Sequence, residues 1–484
     1  MSEGTADLPQ CIHYDLSLSI LPESMHPAFK LYGGTIEATC TATIRNDTAE
    51  PLDKVSLLLY RMLQVLAVSY AAGKELTFAQ AVVSFPELPR KQVNAIEVSL
   101  PRPLPCGETT HICLRYGGPV CGYTEVWPYQ HDHVSEAYTL LRRDVLWFPV
   151  VGRTDEDSWR GAFTFDLSVT VPNRPDAERP WVAVSHGEPG ETSTTPQGRG
   201  YRWHSSLPTR PWTVACAPFG RESISDDVAI YYLPEDEVGA QVVARAMNRT
   251  RELCSASFGP MPAGNLRIVE IPRGWGSEAS PTLILQTRDA FQAESPEDRD
   301  AYRHALSRAG HELIHLWNAP SAEAHVSRFL GEGITQYLEA LLLREEIGEE
   351  AYWKRLNDYR SFFVSNKEAA PIPLAEAGQH RKVREVISRG KGPWLMCVLH
   401  HLLGERMLPT LRTFFDRYRE PGATLEDFRA TMAEATDRDL TAFFSEWLWG
   451  TRSSAYLAQE VPGPALAERL AEQYTFPTGG KRAL

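Results

Sequence analysis

The chain is short of positive charge. Its 484 residues carry 49 Lys and Arg against 62 Asp and Glu, a formal charge of −13. No basic stripe interrupts that balance, so nucleic acid and anionic lipid, which demand a cationic face, are excluded as main partners. Cysteine is sparse too. The eight residues Cys11, Cys40, Cys106, Cys113, Cys121, Cys216, Cys254 and Cys397 show no two-residue-spaced pairs and no histidines at zinc-finger spacing. That excludes a disulfide framework and a zinc finger, and leaves reduced thiols that mostly fill cores. Apolar runs are too short to span a bilayer. Residues 1–10 lack a charged segment followed by an apolar run, and they offer no cleavage pattern. The expected setting is the cytoplasm, away from membranes. No internal repeat or low-complexity tract stands out.

What is present is a long, ordinary globular composition, 43% hydrophobic, enough for two or three domains with real cores. Over the first 220 residues, short alternating segments recur at 13–20, 35–44, 55–60, 95–100, 110–116, 163–171, 181–186 and 212–219, separated by Pro- and Gly-rich turns such as 101–107 and 187–200. Alternation of this kind predicts an antiparallel β-domain, a sandwich or saddle. Beyond Ser223 the pattern predicts strands at 228–233, 266–271 and 282–286 and a helix at 238–258. Helices follow at 297–317, 326–343, 350–365, 392–404, 425–434, 439–449 and 465–474. The expected organisation is an N-terminal β-domain over 1–221, a second, mainly helical domain over 222–455, and a tail over 456–484 with one short helix and a loose end.

The chemistry is concentrated in one place. Residues 311–315 read His-Glu-Leu-Ile-His, and Glu332 follows inside Leu330-Gly331-Glu332-Gly333, all within 22 residues. With 14 His in the chain, roughly 0.03 chance occurrences of the two-histidine motif are expected. Two histidines four apart on a helix turn through about 400° and return to one face, where both imidazoles can bind a single metal ion. Glu312 projects about 100° round the helix and can reach a metal-bound water. Three protein ligands leave the fourth zinc position for water, whose pKa falls to about 7, and a neighbouring carboxylate can take its proton.

Four nearby features are less specific. Gln336 and Glu339, four and seven residues after Glu332, share its helical face; they either orient the imidazoles or belong to the core edge. His304, seven residues before His311, lies on the ligand face of a regular helix and reads as a core histidine. The tandem His400-His401 cannot face one metal from a helix and reads as structural. The segment 394–403 reads as an apolar core helix around Cys397.

The run His311-Glu312-Leu313-Ile314-His315-Leu316-Trp317, followed by Phe329-Leu330-Gly331-Glu332-Gly333-Ile334-Thr335-Gln336-Tyr337-Leu338-Glu339, resembles the zinc aminopeptidases of the aminopeptidase N and leukotriene hydrolase group, whose version reads HExxHxW and WLNEGFAxYLE. Trp317-Asn318 is similar to the glycyl aminopeptidases. Tyr14-Asp15-Leu16 at the start and Trp447-Leu448-Trp449-Gly450-Thr451 near the end extend the resemblance over roughly residues 10–455. It implies a β-domain followed by a thermolysin-like catalytic domain, one zinc ion held by His311, His315 and Glu332, and Glu312 as general base.

Three departures accompany it. The 16 residues between His315 and Glu332 are fewer than in the family pattern, which trims a connection without moving the ligands. The family's Gly-x-Met-Glu-Asn strand, whose glutamate holds the substrate amine, corresponds to Gly274-Trp275-Gly276-Ser277-Glu278-Ala279-Ser280. Glu278 is therefore the candidate substrate contact, displaced by one residue, and such an offset turns a strand side chain to the opposite face. The family's oxyanion tyrosine, two residues before a Lys-Gly pair that opens a helix, is replaced by Arg389 ahead of Lys391-Gly392. Arg389 becomes the candidate oxyanion donor.

The leading expectation is a zinc-dependent, aminopeptidase-like hydrolase of peptides or small amides. Two other readings stand beside it. One is a lapsed peptidase fold serving as a binding or scaffold module. The other is a hydrolase of a non-peptide amide or ester metabolite.

Overall fold

A computed structural model of the chain describes residues 8–22, 33–70, 73–126, 129–173, 179–196, 198–274, 276–436 and 438–474. The first seven residues, Trp275 and the end of the tail (475–484), on which expectations were placed, lie outside the described residues. An antiparallel-rich β-domain is followed by a helical region. Contacts divide the chain into two compact units, Met1–Glu237 with Asn265–Asp289, and Val238–Gly264 with Ala290–Leu484.

In the first unit the backbone of the large sheet is the strand Gln10–Leu21. It pairs antiparallel with Thr35–Arg45 and parallel with Phe163–Val171. The sheet continues through Thr109–Pro119 to Gln64–Tyr70 on one side and through Gly198–Thr209 on the other. Strict alternation of buried and exposed positions along Thr35–Arg45 puts Ile36, Ala38, Cys40, Ala42 and Ile44 in the core. At its centre Trp212, fully buried, packs against Phe165, Phe148 and Trp147 with ring centroids 4.7, 4.8 and 5.1 Å away. Aromatic packing of this geometry adds to the area it removes from water. A four-stranded sheet (Phe78–Phe85, Leu88–Leu104, Leu52–Tyr60, Val150–Val151) and a three-stranded one (Val182–Ser185, Val214–Ala217, Thr139–Leu141) complete this part.

A five-stranded sheet orders Gly220–Ser225, Val228–Tyr232, Leu266–Ile271, Leu283–Thr287 and Glu278–Ser280. Its three central strands are parallel and Leu266–Ile271 is buried throughout, as expected where both faces are covered.

Several strand assignments needed correction, among them Gln64–Tyr70 and Gly220–Ser225, which alternation did not mark. The stretch 187–200, expected as loop, ends in the strand Gly198–Thr209, and carries short strands at Glu188–Pro189 and Ser193–Thr195. Gly198 and Gly200 are strand glycines: a side chain on Gly198 would strike the carbonyl of Val171, and one on Gly200 would strike Ser193 Oγ. Phe78–Phe85 escaped notice because it is almost wholly exposed and lacks an apolar face. The expected 95–100 is the middle of the longer Leu88–Leu104.

The second unit is helical. Glu237–Phe258, Glu349–Ser365, Leu425–Glu434 and Gly463–Glu472 lie where periodicity put them. Leu425–Glu434 starts on a capping box in which Thr424 and Asp427 satisfy each other's backbone N–H. The helix expected at 392–404 begins earlier, at Arg384, and runs through Pro393 to Leu403. Its buried residues include Trp394 to Leu399, and Cys397 is a buried thiol as expected. Met407–Tyr418 was missed, because Pro409 reads as a break although a first-turn proline removes no helical hydrogen bond. Among the described residues no helix is long and apolar enough to cross a membrane.

One buried group in the first unit ties stability to pH. His186 is 4% exposed, and its Nδ1 accepts the N–H of Thr213 at 3.1 Å. Burial, reinforced by the charge of Arg267, pushes its pKa down to about 3 from the usual 6.5. Between those values the unfolded chain binds a proton that the native state refuses. The contribution is therefore complete above pH 6.5 and is lost as pH falls towards 3. Urea unfolding followed by tryptophan fluorescence at pH 7.0, 6.0 and 5.0 checks this. His186→Asn should lose up to about 1.4 kcal/mol per pH unit less than the wild type over that window; identical pH slopes reject the assignment.

Candidate metal centre

The segment carrying His311 and His315 is continuous but not one regular helix. Arg299–Ala305 is α-helical and Leu306–Gly310 is a π turn; His311–Ile314 resumes the α-helix, and His315–Trp317 tightens into a 3-10 turn. A π turn inserts one residue and rotates everything beyond it by about 100°. His304 is thereby exposed while His311 is buried, which corrects the expectation of a core histidine on the ligand face.

The second ligand segment also opens on a π turn, Phe329–Gly333, before the α-helix Ile334–Glu346. It starts three residues later than 326 because Arg328 is left-handed (φ 66°, ψ 5°) and has no side-chain cap. Such insertions have no sequence signature and occur frequently at functional sites.

The two segments bring His311, His315 and Glu332 together, with one ligand atom of each within 4.8 Å of the others. His311 Nε2 lies 3.5 Å from Glu332 Oε2, and His315 Nε2 lies 3.9 Å from Oε1. Ligands about 2.0 Å from one ion sit roughly 3.3 Å apart in a tetrahedron, so a small contraction closes the set. Glu332 Oε2 is buried and forms no hydrogen bond of good geometry, although His311 Nε2 and an Arg389 nitrogen stand 3.5 and 3.2 Å away, so it keeps acceptor capacity for an ion. The donor set fits zinc.

Both imidazoles are held with Nε2 free of other donors. His311 Nδ1 donates to Glu339 Oε2 at 3.0 Å. The Thr335 hydroxyl donates to the Gly331 carbonyl at 2.6 Å and lies 3.2 Å from His315 Nδ1. With its proton committed, Thr335 Oγ accepts from His315 Nδ1–H, which leaves Nε2 as the lone-pair nitrogen. Asn318 anchors the arrangement by donating to Thr335 Oγ1 and to the Gly331 carbonyl. Glu339, fully buried, also accepts from Arg355 Nε at 2.7 Å and from Tyr359 Oη at 2.7 Å. Of the two candidates near the imidazoles, Glu339 reaches one. Gln336 is buried, its Oε1 unbonded, and does not belong to either imidazole's partners.

Protonation follows from this arrangement. Burial opposes the charge on His311, but hydrogen bonds to Glu332 and Glu339 outweigh it and raise its pKa to about 10. His315, buried and next to that cation, is lowered to about 3. Burial likewise opposes ionisation of Glu332, yet His311, His315, Arg389 and Arg328 hold it well below the usual carboxylate range. Glu339 is lowered to about 2, burial being overcome by Arg355 and His311. Glu312 differs: burial, with the charge of Glu332 beside it, pushes it up to about 7 against the pull of His311. The site favours one positive charge between ionised carboxylates, with a proton-holding carboxyl alongside.

Arg389 lies inside the helix Arg384–Leu403, where a position near a helix start was expected. It reaches Glu332 Oε2 at 3.2 Å. It can do so because Gly333 and Gly392 meet backbone to backbone; a Cβ on Gly392 would stand 2.7 Å from the Gly333 Cα. Arg328 reaches Glu332 Oε1 at 2.5 Å, and Glu385 accepts from both arginines at 3.0 Å. Arg328, Glu385 and Arg355 carried no motif, and Thr335 lay within the motif run with no role assigned to it. The strongest hint was Arg384 to Arg389 sharing a helix with Glu385 at i, i+4 spacing. Glu278 begins the strand Glu278–Ser280 in the other compact unit, half-buried and paired with Leu285.

Removing the orienting carboxylate should loosen the metal. Glu339→Gln keeps the shape but takes away the charge facing His311 and Arg355, and should weaken zinc about 10- to 100-fold in competition with a chromophoric chelator. Unchanged affinity would remove Glu339 from the site.

Comparison with known proteins agrees with this geometry. Residues 276–447 match the peptidase family M1 domain. No curated protein matches the chain in sequence. Among solved structures, an M1 zinc metallopeptidase from Deinococcus radiodurans superposes with a TM-score of 0.56 at 17% identity, covering 98% of this chain and 97% of that one. A glutamate-to-alanine variant of an M1 zinc metallopeptidase from Deinococcus radiodurans, bound to a Tyr-Ser-Ala substrate, gives 0.58 at 18% identity, with coverage of 98% and 97%. A two-domain M1 zinc metallopeptidase variant bound to L-arginine gives 0.59 at 18%, covering 95% and 96%. At this identity the structures speak for the fold alone, and the similarity of residues 276–447 to the peptidase family M1 domain supports a zinc aminopeptidase-like enzyme.

Proposed function

We propose that the chain hydrolyses peptides at a single zinc ion held by His311, His315 and Glu332, with Glu312 as proton carrier and Arg389 as stabiliser of the developing oxyanion. The observation that carries this reading is the convergence of two imidazole Nε2 atoms and a buried carboxylate, with both Nδ1 nitrogens tied back to acceptors. A bound zinc ion supplies Lewis-acid polarisation of the scissile carbonyl and a water acidic enough to attack at neutral pH. Glu312, adjacent to the first ligand and holding its proton more tightly than an ordinary carboxylate, takes the proton of the attacking water and passes it to the leaving amine. Arg389, whose side chain is 39% exposed beside Glu332, offers charged N–H donors to the carbonyl oxygen as it becomes negative.

Glu278 enters this reading as the contact for a substrate's free amine. The structures that share the fold include ones crystallised with a tripeptide substrate and with amino acids, which supports short peptides as the substrate class. The acidic balance of the chain counts against nucleic acid and anionic membrane as partners, and its free cysteines suit a reducing, cytoplasmic setting.

A catalytically lapsed scaffold is favoured by one observation: Arg328 and Arg389 both pair with Glu332, an arrangement that serves a purely structural cluster equally well.

Two measurements decide between the readings. Glu312→Gln should lower kcat by about 10²- to 10⁴-fold while zinc, read by elemental analysis, stays at one per chain. Undiminished turnover, or a wild type without zinc, refutes the hydrolase. Arg389→Ala should cost about 10²- to 10³-fold in kcat. Matched peptides with free and acetylated amino termini test Glu278, and equal rates on both would remove it from the site.

A further inference from the structure

The hydrolase reading leaves an excess of cationic side chains around Glu332. Arg328 touches Glu332 and Glu385, Arg389 touches the same two carboxylates, and Arg384 Nε stands 3.4 Å from Glu385 Oε1. Three guanidinium cations thus share two carboxylates. One of these, Glu332, is the carboxylate whose charge a metal would claim, so with the ion in place Glu385 is the one carboxylate still paired with the three arginines, with Glu312 acting on Arg389 through its charge. The neighbourhood is then strongly positive in a chain whose formal charge is −13.

The arginines also have donors to spare. A guanidinium carries five N–H groups in a fixed fork. Arg328 commits one terminal nitrogen to each carboxylate, and Arg389 commits Nε and one terminal nitrogen. Their side chains are 36% and 39% exposed, so uncommitted N–H groups are within reach of a ligand. Arg384 Nε, buried and 3.4 Å from Glu385 Oε1, forms no hydrogen bond of good geometry there.

The backbone at Arg328 gives independent reason to look for a role. Its φ of 66° lies in the left-handed region, where glycine or asparagine sits with least strain. A long side chain held there, immediately before the ligand-bearing turn, signals a function for the side chain rather than a preference of the backbone. The position is well determined, since Ser327 Oγ is held by Glu323 and its carbonyl accepts from Ser388 on the Arg384–Leu403 helix.

We propose that Arg328, with Arg384 and Arg389, recognises a carboxylate on the substrate, so that the preferred substrates are acidic: peptides bearing either an acidic side chain or a free terminal carboxylate close to the scissile bond. Planar, bidentate carboxylate recognition is what paired guanidinium forks do well and what a lone ammonium does poorly. This rests on the zinc-hydrolase reading for the reaction but is tested by binding.

The experiment is calorimetric titration of zinc-loaded Glu312→Gln protein with three peptides: Ala-Gln-Ala amide, which has no carboxylate; Ala-Glu-Ala amide, which has a side-chain carboxylate; and Ala-Gln-Ala with a free carboxyl terminus. At least one carboxylate-bearing peptide should bind about ten- to hundredfold tighter than the neutral one. The preference should fall to within about twofold when Arg328→Gln is added, and part of it should survive in Arg328→Lys. If the three peptides bind alike, or the preference survives Arg328→Gln, the inference is overturned. Should Arg328→Gln not fold, as judged by circular dichroism, Arg384→Gln takes its place with the same expectation. An arginine that merely clamps Glu332 would change zinc affinity and shift all three peptides together, leaving their ratio intact, which also overturns the inference. Titrating the metal-free protein in parallel separates the two readings: absence of zinc binding sinks the hydrolase, while the affinity ratio still decides the carboxylate.

Discussion

Keeping Glu332 ionised while it is buried is the constraint around which the site is organised. A carboxylate taken out of water loses several kcal/mol of solvation unless charges of opposite sign are placed against it with good geometry. Here they come from three separate segments: His311 and His315, Arg328 on its own entry turn, and Arg389 on a helix that packs against it. The close backbone contact of Gly333 and Gly392 is what lets that last helix approach near enough. Beyond Glu332 the signs alternate outward, to Glu385 through the arginines on one side, and through His311 to Glu339 and Arg355 on the other. Each charge in such a chain is held in place by its neighbours, so the effect of losing one depends on the rest of the network.

The same arrangement explains why two glutamates of one site have opposite proton affinities. Glu332 and Glu339 each face at least two cationic groups and stay ionised. Glu312 sits one residue from His311, but its dominant influence is burial, and the negative charge of Glu332 adds to it. Environments that push neighbouring carboxyl groups apart in this way suit one kind of carboxyl to holding a cation and the other to holding a proton. The division does not come from residue type, because all three are glutamates. It comes from whether nearby cations outweigh burial, which they do at Glu332 and Glu339 and do not at Glu312.

Much of this was legible in the sequence. The strands Phe163–Val171 and Leu266–Ile271 and the helix Leu425–Glu434 fall on the residues that alternation or helical spacing marks, because each has one well-defined buried pattern and clear ends. The ligand triad was legible because helical spacing leaves few ways to arrange His311 and His315. Three kinds of information were not local. The π turns depend on how helices seat against one another, and they moved His304 out of the face that regular geometry assigned to it. Gly198, Gly200, Gly392 and Pro393 look like breaks until a neighbouring backbone is seen to need the space or the packing to outweigh the propensity. Arg328 belongs to no recognisable spacing and Thr335 had no role assigned within the motif run, and their importance exists only once the chain has folded.

Arg389 shows why transfer by motif and reading by physics must be run together. By resemblance it stands where a tyrosine would donate to the oxyanion, and considered alone it is a conspicuous substitution of a cation for a neutral phenol. In the fold it is one of a pair. Glu385 holds both Arg389 and Arg328, and Glu332 touches both. A single added cation against a metal-ligating carboxylate would compete electrostatically with the metal, and a second one increases that penalty. The cluster becomes favourable again when further negative charge enters it. Glu385 supplies part of that charge permanently. The charge that develops on a carbonyl oxygen during hydrolysis can supply more, transiently. Two arginines beside Glu332 are therefore suited to a site that also receives an anion, and that follows from the charges the fold brings together rather than from the identity of any one residue.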